Sequence, residues 1–144
     1  MSTGFYYFSG KVNWAKVRKP DDYDRYTLDL YMDEKSWPLF EESGLNLKRR
    51  ENDDGETFVK LSRPIEKEIK GNTVEYGPPE VLDAEGNELP EDVLIGNGSD
   101  IICKVAVYDT RAGMGHRLES IKVIDLVEYS SNVEEHAPEG VDAW

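Results

Sequence analysis

The strongest constraint on this chain is the alternation in "RYTLDLYM", Arg25 to Met32. Tyr26, Leu28, Leu30 and Met32 fall on one parity, and Thr27, Asp29 and Tyr31 fall on the other. A period of two belongs to a strand with one buried face and is incompatible with an amphipathic helix. Four further stretches read as strands. They are "GFYYFSGKVNWAKV" (Gly4 to Val17), "TFVKLSR" (Thr57 to Arg63), "DIICKVAVY" (Asp100 to Tyr108) and "HRLESIKVIDLVEY" (His116 to Tyr129). Gly10 would mark a bend or bulge in the first, and the turn signal "NDDGE" precedes the third strand. A shorter strand is expected within "TVEYGPPEVL".

One helix is predicted over "DEKSWPLFEESGLN", with Ser36 as N-cap, Pro38 in the first turn and Gly44 as the stop. Trp37, Leu39, Phe40 and Leu45 would supply its apolar side. Five strands with one inserted helix predict a mainly β protein, a small five-stranded barrel of the oligonucleotide-binding (OB) type. The 144 residues fit one such domain over 1–129. Residues 130–144, "SSNVEEHAPEGVDAW", have little to bury and read as a flexible acidic tail. Glu80 to Asp92, with six acids and no base, reads as a long surface connection.

The formal charge is −13, but it is unevenly spread. Residues 1–72 hold 13 Lys and Arg against 14 Asp and Glu, whereas residues 73–144 hold 4 against 16. A ligand at close range feels charges within about a Debye length, ~8–10 Å, so an acidic total does not exclude a nucleic-acid ligand. The single Cys103 lies in an apolar strand and has no disulfide partner. With no signal peptide and no apolar run long enough to span a bilayer, a cytoplasmic setting without membrane contact is expected.

Signatures of catalysis are thin. His116 and His136 are the only histidines, and no Cys/His spacing resembles a zinc site. "DDYD", Asp21 to Asp24, reads as an acidic loop between strands rather than a metal site. "AGMGHR", Ala112 to Arg117, lacks the lysine and following helix of a phosphate loop and reads as a hairpin tip. No catalytic residue, metal or cofactor is expected.

Bases beside aromatics are more informative. "NWAKVRKP" interleaves Trp14 with Lys16, Arg18 and Lys19, and "LKRRE" supplies Lys48, Arg49 and Arg50. If Val59 and Leu61 face the interior, Phe58 and Lys60 face out. If Ile101, Cys103, Val105 and Val107 face in, Lys104 and Tyr108 face out. Arg111 and Arg117 flank the hairpin tip. Each residue has a plain reading as solvated charge or end-covering ring, but together they fit a positive track with exposed rings for single strands. Stacking there contributes roughly 1–3 kcal/mol per base.

The strand "NWAKV" with "YDRYTLDLYMD", the helix "KSWPLFEESGLNLK", the segment "LIGNGSDIICKVAVYD" and the closing "LESIKVIDLVEY" together resemble bacteriophage replication single-stranded DNA-binding proteins of the OB fold. The resemblance runs from about Gly4 to Tyr129. It implies coating of exposed strands during phage DNA replication, recombination and repair in the infected host cell, without catalysis. It also implies an acidic tail, here Glu134, Glu135, Glu139, Asp142 and terminal Trp144, that contacts phage replication proteins and competes with DNA. "GNGS", Gly96 to Ser99, would be the tight turn leading into a central strand. A homodimer is compatible with the sequence. The competing reading, favoured by the net charge, is an acidic interaction protein or DNA mimic.

Overall fold

The computed structural model describes residues 3–127 together with 139 and 140. Five long strands dominate: β1 (Gly4–Lys16), β2 (Arg25–Met32), β4 (Thr57–Pro64), β8 (Ser99–Thr110) and β9 (Gly113–Asp125). Four short ones complete the described set: β3 (Arg50–Glu51), β5 (Glu66–Ile69), β6 (Asn72–Glu75) and β7 (Glu80–Leu82). The main sheet has the order β3-β4-β2-β1-β8-β9-β7, and β5-β6 forms a separate hairpin. The molecule is mainly β with an OB-like arrangement.

The alternation read from the sequence places most of the core. However, β2 is buried on both faces over Tyr26 to Leu30, where Thr27 and Asp29 of the other parity are 2% and 7% exposed. Leu28, Leu30, Val59, Leu61, Ile101, Cys103 and Val105 are each at most 1% exposed, and Phe8, Val12, Leu118 and Ile121 join them from β1 and β9. Burying each such side chain contributes roughly 1.5–3 kcal/mol. Burial also pushes the Cys103 thiol well above its ordinary pKa, so it is an inert packing group.

A closed barrel would need β4 and β9 to pair, yet no ladder joins them among the described residues. Side chains span the seam instead. The Ser62 backbone N–H donates to His116 Nε2 at 3.1 Å, and Arg63 Nη1 donates to the Leu118 carbonyl at 3.2 Å. The helix α1 (Ser36–Ser43) covers one end, where Phe40 sits edge-on to Phe8 with ring centroids 5.9 Å apart.

Several local expectations are corrected. Ser36 is the first helical residue and not the N-cap, which is Lys35. Asp33 caps the turn by accepting from the Lys35 and Ser36 N–H groups. The Ser36 hydroxyl instead accepts from Ser9 N–H at 2.7 Å and ties the helix to β1. Gly44 ends the helix at φ 77°, as expected. Gly10 marks no bulge. Its missing Cβ allows the Tyr31 carbonyl to approach, and the β1 bulge lies between Asn13 and Lys16. The fifth strand starts earlier than expected and ends at Asp125, while Tyr129 lies outside the described residues. "TVEYGPPEVL" splits into β6 and β7, because Pro78 and Pro79 cannot continue a ladder. Glu80 to Asp92 is no loose connection. It contains β7, parallel to β9, and a turn in which the Asp83 carboxylate accepts from Glu85 and Asn87 N–H. The tail expected over 130–144 lies outside the described residues except for Glu139 and Gly140.

Candidate nucleic-acid interface

The outer row of the sheet is set by cross-strand register. Tyr31 of β2 is opposite Lys11 of β1, Asp29 is opposite Lys60 of β4, and Tyr7 of β1 is opposite Lys104 of β8. Because Val59 and Leu61 are buried, Phe58 and Lys60 face outward as the alternation requires. Phe58 lies against Tyr31 with ring centroids 5.0 Å apart, and Arg50 is its partner on β3. Across the sheet, Lys104 Nζ lies 4.4 Å from the Phe5 ring centroid. Phe5 and Tyr7 are 60% and 56% exposed. A groove of ≈ 690 Å³ is lined in part by Ser9, Lys11, Tyr31, Asp100 and Ile102, while Tyr7 and Lys104 line a separate hollow of ≈ 390 Å³ that shares Ile102 with it. Cations on this face are partly balanced: Lys60 pairs with Asp29 at 3.4 Å and Lys11 with Asp100 at 3.1 Å.

Trp14 lies near the C-terminal end of β1. It is 61% exposed and sits in the bulge at φ 52°. Its backbone N–H donates to Asn97 Oδ1 at 2.8 Å. The neighbouring Gly98, at φ 90°, donates its N–H to the Val12 carbonyl, and the buried Ser99 hydroxyl bonds Gly96 and Val127. "GNGS" is thus a turn that carries the chain into β8 and fixes the Trp14 bulge. Lys16 and Lys19 are exposed nearby. Arg18 is turned to structural use, donating to the Leu89 and Pro90 carbonyls at 3.1 and 2.9 Å.

The remaining expected residues disperse. Arg49 pairs with Glu41 at 2.9 Å and lies over Trp37, so it braces the helix, while Lys48 is exposed beside it. Arg111 is exposed at the β8–β9 turn. Tyr108 donates its hydroxyl to the His116 carbonyl. Arg117 bonds Glu119 at 2.5 Å and stacks on Tyr76, whose ring also contacts Arg63. Burial lowers the His116 pKa to about 4, so its neutral ring serves as the acceptor in the seam. Glu139 is exposed, whereas Glu134, Glu135, Asp142 and Trp144 lie outside the described residues.

"DDYD" proves to be a loop device. Asp21 Oδ1 accepts from Tyr23 and Arg25 N–H; burial alone would raise its pKa, but these bonds and Arg25 outweigh it and lower it. Among the described residues no three His, Cys, Asp or Glu gather as a metal site would require, and no helix is long and apolar enough to cross a membrane.

The strand order, the helix over one end and the outward aromatic rows define a mainly β, OB-like fold. Among solved structures, it is shared with gp2.5, a single-stranded DNA-binding protein encoded by bacteriophage T7. That match is 18% identical, covers 99% of this chain and 100% of that one, and has a TM-score of 0.64. The single-stranded DNA-binding protein from bacteriophage Enc34 in complex with ssDNA matches at 14% identity, covering 95% of this chain and 90% of that one, with a TM-score of 0.56. Its C-terminal truncation matches at 15%, with coverages of 85% and 86% and a TM-score of 0.55. No protein-family model matches the sequence, and neither does any curated protein.

Proposed function

We propose that this chain binds single-stranded DNA without strong sequence preference, by stacking bases on outward rings and contacting phosphates with Lys and Arg. The observation that carries this reading is the outer row itself: Phe58 against Tyr31, which lines the larger groove, and exposed Phe5 and Tyr7 beside Lys104. Such rings need unstacked bases, and a backbone track needs the interspersed cations. The solved proteins that share the fold are named as single-stranded DNA-binding proteins of phages, which supports the same role here. The chain would then coat exposed strands during phage replication, recombination and repair in the cytoplasm of the infected cell, acting by binding and not by catalysis.

Residues 130–144 form, in this reading, a separate acidic segment that visits the groove and contacts replication proteins through Glu134, Glu135, Glu139, Asp142 and Trp144. A tethered polyanion acts at an effective concentration that can reach the millimolar range. The net charge of −13 favours a second reading, a DNA mimic that occupies a nucleic-acid-binding partner. Titrating a fluorescent dT oligonucleotide at two salt concentrations separates the two. With three to five phosphates engaged, the log–log salt slope should be about −2 to −3.5, whereas a mimic binds no dT at either concentration.

A further inference from the structure

The β5–β6 hairpin is sorted by chemistry into two faces. Cross-strand partners are Glu66 with Glu75, Lys67 with Val74, Glu68 with Thr73 and Ile69 with Asn72. Ile65 and Tyr76 extend the ladder, since Tyr76 N–H donates to the Ile65 carbonyl at 2.7 Å. With side chains alternating, one face carries Glu66, Glu68 and Glu75, and the other carries Ile65, Lys67, Ile69, Val74 and Tyr76. Glu66 directly opposite Glu75 is a like-charge pair that disfavours the hairpin, so this sorting serves no obvious stabilising purpose.

The two halves of the second face differ. At the root, Tyr76 is held against Arg63 and Arg117, with guanidinium carbons 5.3 and 4.9 Å from its ring centroid. Next along, Lys67 Nζ lies 5.1 Å from the Tyr108 ring centroid on β8. Val74, directly opposite Lys67, is 37% exposed, and Ile69, nearer the turn, is 42% exposed. Lys70 at the hairpin turn and Arg111 at the β8–β9 turn are exposed as well.

We infer that the second face of this hairpin is a further contact for single-stranded DNA, a flap holding a strand that runs on from the outer groove. The inference rests on the proposed function. Charge complementarity selects the occupant: Lys67, Lys70 and Arg111 suit phosphates, and Ile69 and Val74 offer apolar surface to an unstacked base. The three glutamates on the opposite face repel a polyanion, which confines the strand to one side.

The test uses the full chain with Lys67→Ala, Lys70→Asn and the double variant. Asn keeps the left-handed backbone that Lys70 adopts at φ 51° while removing its charge. Binding of dT is measured with strands of about 5 and about 15 nucleotides, the range of OB-fold site sizes. In the double variant the long strand should bind several-fold more weakly, with a salt slope shallower by about 1.4. The short strand, held on the outer groove, should bind as before. Unchanged affinity and slope for the long strand would overturn the flap and leave the proposed function standing. Equal weakening for both lengths would also overturn it, because the hairpin would then be part of the groove. If the unaltered chain binds neither strand, the proposed function falls and the flap with it.

Discussion

Trp14 and Asn97 are joined across 83 positions of sequence by one hydrogen bond, Trp14 N–H to Asn97 Oδ1 at 2.8 Å. The bond holds Trp14 at φ 52°, a conformation that disfavours any residue with a Cβ, with its ring 61% exposed. A ring displayed on a strained backbone is a cost that packing does not recover.

Trp14→Gly should therefore separate stability from binding. Glycine adopts this conformation without a steric penalty, so the variant should be as stable as the parent or more stable by up to about 1 kcal/mol. Its affinity for dT should nevertheless fall, by roughly the 1–3 kcal/mol that one stacked base contributes. Urea unfolding and oligonucleotide titration measure the two. A destabilised variant with unchanged binding would make Trp14 an end-covering residue. Asn97→Ala should cost about 1 kcal/mol of stability and lower affinity indirectly, by freeing the bulge.

Stacking and charge should be separable on the outer groove. Phe58→Ala or Tyr31→Ala should weaken dT binding with little change in salt slope. Lys104→Ala should make the slope shallower by about 0.7. Lys60→Ala should add a stability loss, because it strands Asp29, which is 7% exposed, without its counter-charge. Salt titrations of the four variants, with urea unfolding as control, check this.

The seam between β4 and β9 should loosen in mild acid. His116 has a folded-state pKa lowered to about 4 by burial, against an ordinary 6.5. Above pH 6.5 both folded and unfolded states hold it neutral. As the pH falls from 6.5 towards 4, the unfolded chain takes up a proton that the folded chain refuses, so stability is lost. The full loss is roughly 3 kcal/mol. Asp21 and Asp33, whose folded-state pKa values are lowered from 3.8, affect stability mainly below this window. Urea unfolding from pH 7.5 to 4.5 should show the slope, and His116→Gln, which keeps an acceptor for Ser62 N–H, should flatten it.

Removing residues 130–144 should tighten dT binding a few-fold at low salt, with the effect fading as salt screens the competition. An unchanged affinity at low salt, with the shortened chain folded, would mean that the segment does not visit the groove.

Alternation made the long strands legible, since the buried residues of β4, and those of β8 except Ala106, fall on one parity. The same rule applied to β1 would have exposed Phe5 and Tyr7, because Phe8 and Val12 point inward. It was obscured there by aromatics on both parities, with Tyr6 and Phe8 interleaved between them. Arg18 and Arg49 were legible as basic residues but not as occupied ones. Their partners, the carbonyls of Leu89 and Pro90 and the carboxylate of Glu41, are set by tertiary packing. Ser36 misleads for the same reason, since its hydroxyl is taken by Ser9, 27 residues away. Tyr76 carries no local signal, and only the hairpin brings it between Arg63 and Arg117.

Competition between strand forms is the decisive measurement. A fluorescent dT oligonucleotide is bound to the full chain, then displaced with unlabelled single-stranded DNA or with duplex of the same length at matched salt. Exposed rings that stack on free bases should make the single strand the far better competitor, by at least an order of magnitude in concentration. Equal displacement by duplex would contradict base stacking on the outer groove and leave only nonspecific attraction to phosphate.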